Sequence, residues 1–201
     1  MTHDPKSFSF DIARTAMISM DLQTAIVSIY TKGHADLLVS AASLLKQARD
    51  QGLSVIHVQV GFRPGLPEVS LRNPLFSAIK ASVQHQQLFQ GAAGVIHPTV
   101  APQGEDIVIT KHRISAFSGT DLGMILRAKE IDTLILFGIA TSGVVLSTLL
   151  DASDADYRLV VIKDCCADLD SEVHGCLMEK IFPRLATVLD SSECIETLRA
   201  S

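Results

Sequence analysis

No apolar run in this sequence approaches the ~20 residues needed to cross a bilayer; the longest are about eight. No basic-then-apolar region opens the chain at Met1-Thr2-His3-Asp4-Pro5-Lys6, so no secretion signal is read there. No cluster of Lys or Arg stands out and the net charge is −5, which argues against binding that works by neutralising nucleic-acid phosphates. The four cysteines, Cys165, Cys166, Cys176 and Cys194, lack the paired CxxC spacing of a zinc site, and adjacent thiols rarely bridge. Together these absences predict a cytoplasmic protein with reduced thiols, no membrane and no nucleic-acid partner. No repeat or low-complexity segment interrupts the chain. What is present is a single-domain length of 201 residues, 47% hydrophobic, with a mean hydropathy of +0.30.

Short apolar runs alternate with amphipathic stretches. Strands are predicted over 16–20, 54–60, 107–110, 134–137, 158–162 and 187–189. Helices are predicted over 35–51, ending at Gly52, and over 121–130 behind Thr120 as N-cap. Further helices are expected over 143–155 and 172–181. The stretch 61–104 carries most of the prolines and reads as irregular, with a short helix around 74–83. Apolar strands alternating with helices indicate a parallel sheet covered on both faces, a doubly wound α/β sandwich. Ligands of such sheets bind beyond the carboxyl ends of the strands. Asp21 ends the first strand, Lys111 the third, and the turn 138–144 the fourth, so all three are expected on one edge.

Asp21 follows a mostly apolar run, where desolvation raises a carboxyl pKa and suits it to acid/base work. A helix cap or a hydrogen-bonded strand end is the plainer alternative. Lys111, beside His112 and Arg113, reads either as a solvated basic strand end or as the charge partner of Asp21, holding a substrate carboxylate or carbonyl. The turn Gly138-Ile139-Ala140-Thr141-Ser142-Gly143 leads from strand to helix, and its first amides form a ready anion or oxyanion site. Cys165 and Cys166 follow the fifth strand. They are either small buried hydrophobes or relocated nucleophiles. The seven histidines form no HxxxH pattern.

Four segments carry a resemblance. They are Met17-Ile18-Ser19-Met20-Asp21-Leu22-Gln23, the stretch Ile109-Thr110-Lys111-His112-Arg113 running on to Leu122, Gly138-Ile139-Ala140-Thr141-Ser142-Gly143-Val144-Val145, and Val161-Ile162-Lys163-Asp164-Cys165-Cys166-Ala167-Asp168. Over about 13–190 the chain resembles the isochorismatase-like hydrolases, also called cysteine hydrolases. The resemblance implies a three-layer, Rossmann-like α/β/α sandwich around six parallel strands and a catalytic triad of Asp, Lys and Cys. Asp21 and Lys111 match the first two. The cysteine position is Val144, which has no nucleophile. The resemblance further implies a cis peptide at Ala140–Thr141, an oxyanion hole from the amides of Thr141 and Val144, and substrate contacts from Gln23, Phe117, Ala140 and Gly143. Some members bind zinc through an Asp-x-His step; here Val58-Gln59-Val60-Gly61 stands instead, so no metal and no cofactor is expected. Family members are often dimers or tetramers.

The expectation is therefore a metal-free hydrolase of a small, anionic or carbonyl-bearing metabolite. Asp21 serves as acid/base and Lys111 as its partner, without a covalent step; isochorismatases proper set that precedent. The alternatives are an inactive, metabolite-binding or assembly-forming relative, and an amidase using Cys165 or Cys166. The stretch 63–73 is the expected lid.

Overall fold

The computed structural model describes residues 9–31 and 36–201. The opening stretch 1–6, Ala35 and two histidines, His3 and His34, lie outside them. Six strands, β1 (Thr15–Met20), β2 (Ser54–Val60), β3 (Ile107–Lys111), β4 (Thr133–Gly138), β5 (Arg158–Ile162) and β6 (Thr187–Leu189), form one sheet. Its order is β3-β2-β1-β4-β5-β6 and every pairing is parallel. Every residue of β1 and of β4 is buried, which is why these strands, apart from Thr15, Ser19 and Thr133, are apolar instead of alternating. Phe137, Phe182, Met17 and Ile18 are among the largest side chains sealed in the core.

The helices are α1 (Thr24–Tyr30), α2 (Asp36–Asp50), α3 (Pro74–Ala81), α4 (Val83–Gln87), α5 (Gly91–Gly94), α6 (Leu122–Ala128), α7 (Leu146–Asp154), α8 (Ser171–Cys176) and α9 (Ser191–Ala200). Gly52 stops α2 as expected, at φ 81° with its amide on Arg49 O. Several expectations need correction. The helix placed over 143–155 is a wide π turn, Thr141–Val145, followed by α7, and the one over 172–181 is α8 followed by a second such turn, Leu177–Ile181. Asp121, not Thr120, occupies the N-cap of α6, although the Thr120 hydroxyl accepts from Leu122 N at 3.3 Å. The stretch 61–104 holds α3, α4 and α5. A cis peptide is present at Ile139–Ala140, one bond earlier than the expected Ala140–Thr141. The Thr141 amide is directed instead onto the Ala167 carbonyl, 2.9 Å away.

Consecutive strands step outward from β1 to β3, then the chain returns to place β4 on the other side of β1. The crossovers from β1 and β4 therefore diverge, leaving a crevice above the carboxyl ends of these two strands.

Candidate active site

The floor of that crevice is built by close approach of two strand ends. Gly138 closes β4 at φ 146°, and a Cβ there would lie 2.0 Å from Met20 O, so no other residue fits beside β1. The Met20 carbonyl accepts instead from Ile139 N at 3.1 Å. The next residue of that chain is Asp21. It turns out of the strand at φ 55°, a left-handed conformation that Asp tolerates better than most residues.

Lys111 ends β3, two strands away, and reaches across the end of β2. Its Nζ donates to Asp21 Oδ2 at 2.8 Å and to Arg113 O at 3.0 Å. Both side chains are buried, Lys111 to 3% exposure. Burial pushes the Asp21 carboxyl above its ordinary range, and the charge and hydrogen bond of Lys111 pull it partway back. Asp21 Oδ1 is buried without a hydrogen-bond partner, and the nearby Val60 amide, which also helps to lower the Asp21 pKa, donates to Gln23 Oε1 at 2.8 Å.

Above the pair lies a cavity of about 410 Å³. Ile139, Ala140, Gly143 and Val144 line it from the turn after β4. Val144 is 3% exposed and presents an apolar isopropyl group, with no nucleophile, to the cavity. The roof is mostly apolar, with Ile26 and Ile29 of α1, Leu75, Phe76 and Ile79 of α3, and Phe89 beyond α4, and its polar members are Tyr30 of α1 and His85 of α4.

Ala140 and Gly143 line the cavity, and Asp21, Lys111 and Val144 meet there. Three other expectations are corrected. Gln23 is 1% exposed and its side chain is spent on structure: its amide nitrogen donates to Val60 O (3.0 Å) and Gly94 O (2.6 Å). It staples the ends of β1 and β2 to the last residue of α5. Phe117 does not line the cavity. Ala116 N donates to Thr148 Oγ1 on α7, which turns Phe117 against Tyr157, 6.1 Å between ring centres. Arg113 and Ile114 line the cavity in its place. Thr141 is fully buried; its amide is committed to Ala167 O and its hydroxyl sits 2.8 Å from His174 Nδ1. It therefore offers no amide to an oxyanion. Ser142 N is likewise held by Asp168 Oδ2, and Gly143 N and Val145 N by Ala140 O.

The relocated-thiol alternative also falls. Cys165 is fully buried, and burial with the nearby Asp164 charge pushes its thiol far up. Burial pushes Cys166 up to about 12, and it lines a separate cavity shared with Asp168 and His174. Neither thiol lines the cavity above Asp21. Among the described residues no group of three His, Cys, Asp or Glu side chains is placed to hold a metal ion. The roof residues of α1 and α3 were not singled out from the sequence, although Leu75, Phe76 and Ile79 are spaced as one helix face. The stretch 63–73 is not that roof: its Leu66 and Val69 pack beneath Phe76 in a small core of their own.

The isochorismatase domain model matches residues 15–193. The chain belongs to the isochorismatase family. Among its relatives, the maleamate amidohydrolase of Pseudomonas putida is 28% identical over 176 residues, covering 85% of this chain and 78% of its own length. The ureidoacrylate amidohydrolase of Azorhizobium caulinodans is 30% identical over 181 residues, covering 80% and 79%. The solved structure of an isochorismatase family protein from Burkholderia thailandensis matches with a TM-score of 0.82 at 27% identity, covering 95% of this chain and 98% of the other. This isochorismatase-family hydrolase shares the fold of that solved structure, with Val144 in the turn that follows β4.

Proposed function

We propose that this family member hydrolyses a small carbonyl-bearing or anionic metabolite without a covalent intermediate. The observation that carries the reading is the buried Asp21–Lys111 pair at the floor of the cavity, with Asp21 Oδ1 unpartnered and available to a water or a substrate proton. Asp21 takes a proton from water as the water oxygen bonds to the substrate carbonyl carbon. Lys111 and the Val144 amide stabilise the oxyanion that forms. Asp21 then returns the proton to the departing nitrogen or oxygen as its bond to that carbon breaks, giving an acid and an amine or alcohol. A carboxyl whose pKa is raised by burial suits both halves of that cycle near neutral pH.

A second reading has one observation in its favour, Val144 itself: a family member that binds its metabolite and does not turn it over. The test is a panel of isochorismate, small amides and ureides with the wild type and Asp21→Asn. Turnover by the wild type that falls at least about a hundredfold in Asp21→Asn supports the non-covalent hydrolase. No turnover by the wild type, with amidase activity gained in Val144→Cys, supports the binding-only reading.

A further inference from the structure

Two groups from different parts of the chain hold the Lys111 head. One is the Asp21 carboxylate, and the other is the carbonyl of Arg113, two residues on, which accepts from Nζ at 3.0 Å. One Lys111 N–H is left for a ligand, and the two fixed bonds set its direction. The position of the Arg113 carbonyl is therefore part of the geometry above Asp21.

The Arg113 side chain is tied down on two sides. It donates to His112 O at 2.6 Å, which closes a short loop on its own backbone. It also donates to Glu68 O at 3.0 Å, and its guanidinium lies 5.7 Å from the centre of the Phe76 ring. Glu68 and Phe76 belong to a unit with a small core of its own, Leu66, Val69 and Phe76, on which Phe62 and Ile79 pack. Within it Lys80 Nζ donates to Leu66 O at 3.0 Å and Arg63 N to Glu68 Oε1 at 2.7 Å, so its residues hold together as one body. Phe76 and Ile79 of that body also roof the cavity. Arg113 therefore meets the roof with its side chain and the lysine with its carbonyl. The end of β3 is pinned separately, by Gly61 N on Lys111 O at 3.1 Å. A shift of the roof that reaches Arg113 passes to the Lys111 head and leaves the strand end in place.

We propose that Arg113 is a positioning residue that couples the α3 roof to Lys111. Contact of a ligand with Phe76 fixes the guanidinium, the guanidinium fixes the Arg113 carbonyl, and that carbonyl aims the remaining Lys111 N–H. The effect on turnover rests on the hydrolase reading; the coupling itself does not. A side chain that only propped the roof would govern binding. One that aims Lys111 governs the oxyanion that forms during reaction.

The first measurement needs no ligand. The ε-carbon resonance of Lys111 is followed by NMR in protein with labelled lysines, assigned by its loss in Asp21→Asn combined with Lys111→Met. Phe76→Leu should shift this resonance when Arg113 is present and leave it in place in Arg113→Gln, a non-additivity expected only of coupled residues. Arg113→Lys, with a single point charge in place of the fork, should keep less than about half of the shift, and it decides the matter should Arg113→Gln not fold. A shift of equal size with and without Arg113 is direct action of the ring and overturns the proposal. So does an undiminished shift in Arg113→Lys, or no shift in any background. The second measurement is kinetic, on whichever of isochorismate, the small amides and the ureides the wild type hydrolyses. Arg113→Gln should lower kcat about tenfold while KM stays within about twofold. A raised KM at unchanged kcat marks a prop for the roof and overturns the proposal. No turnover of any of these by the wild type sinks the hydrolase reading, and a Phe76→Leu shift that depends on Arg113 still upholds the coupling.

Discussion

Asp21 and Lys111 show what a single side chain costs when its partner is taken away. Each is a buried charge whose main compensation is the other, and removing one partner of such a pair costs about 3–5 kcal/mol. Lys111→Met should therefore destabilise the fold by about that much in urea unfolding. The loss should deepen as pH rises: with its folded pKa already raised by burial, Asp21 adds stability while protonated and withdraws it as it ionises. Asp21→Asn combined with Lys111→Met removes both charges and keeps a residue that accepts the left-handed turn. It should recover most of the stability and none of the activity. A double variant as unstable as Lys111→Met would mean that the pair is structural. Val144 shows the opposite economy, since a valine in that turn needs no partner.

At the scale of elements, the other end of the sheet holds a second buried network. His57 of β2 places Nε2 3.1 Å from Asp106 Oδ2, and Arg49 of α2 grips the same carboxylate, its closest contact 2.6 Å. Burial lowers the His57 pKa against the pull of Asp106, and its Nδ1 is buried without a partner. A histidine held neutral contributes stability that is complete above its ordinary value of about 6.5 and is lost as pH falls from there through its lowered folded pKa. For Asp106, burial acts upward, but Arg49, the Gln103 amide and His57 together hold its carboxyl below the usual range. Its contribution is lost only below about pH 4. Melting temperature should fall in two stages on acidification, and His57→Gln should remove the first. A single acid transition near pH 4 in the wild type would refute the assignment.

The same scale explains which parts of the fold were legible. The strands are continuous apolar runs, and β2, β5 and β6 lie at their expected bounds, while β1, β3 and β4 gain a residue at one or both ends. Asp21, Lys111 and the turn after β4 follow from where those strands stop. The helix α1 was missed because Thr24-Ala25-Ile26-Val27-Ser28-Ile29-Tyr30 is rich in β-branched residues, and tertiary packing makes it helical against weak propensity. The helix α9 carried a readable capping box, Asp190 with Glu193, that went unread. Gln23 and Phe117 misled for a different reason. Their roles depend on neighbours distant in sequence, Gly94 for the first and Thr148 with Tyr157 for the second, and no local pattern marks those contacts.

For the whole molecule, the expected homo-oligomer is open to a direct check. Leu71, Leu75 and Leu169 are all more than half exposed, and the last two border the cavity. Side chains of this kind are what an interface between copies covers. Light scattering should give a mass of two or four times the 21.6 kDa chain, and Leu75→Lys with Leu169→Lys should lower it; a monomeric wild type would end that expectation.

The staple made by Gln23 has a consequence for how this chain can change over generations. Its three hydrogen bonds tie β1 and β2 to the far end of the stretch 61–94, which supplies much of the roof. Within that frame, roof side chains can be exchanged without disturbing the strand ends that hold Asp21 and Lys111. Selection can therefore act on what is bound separately from what is done to it. Drift in the roof reshapes the cavity over an old floor, while an exchange at Val144 alters the turn after β4 and leaves the roof in place.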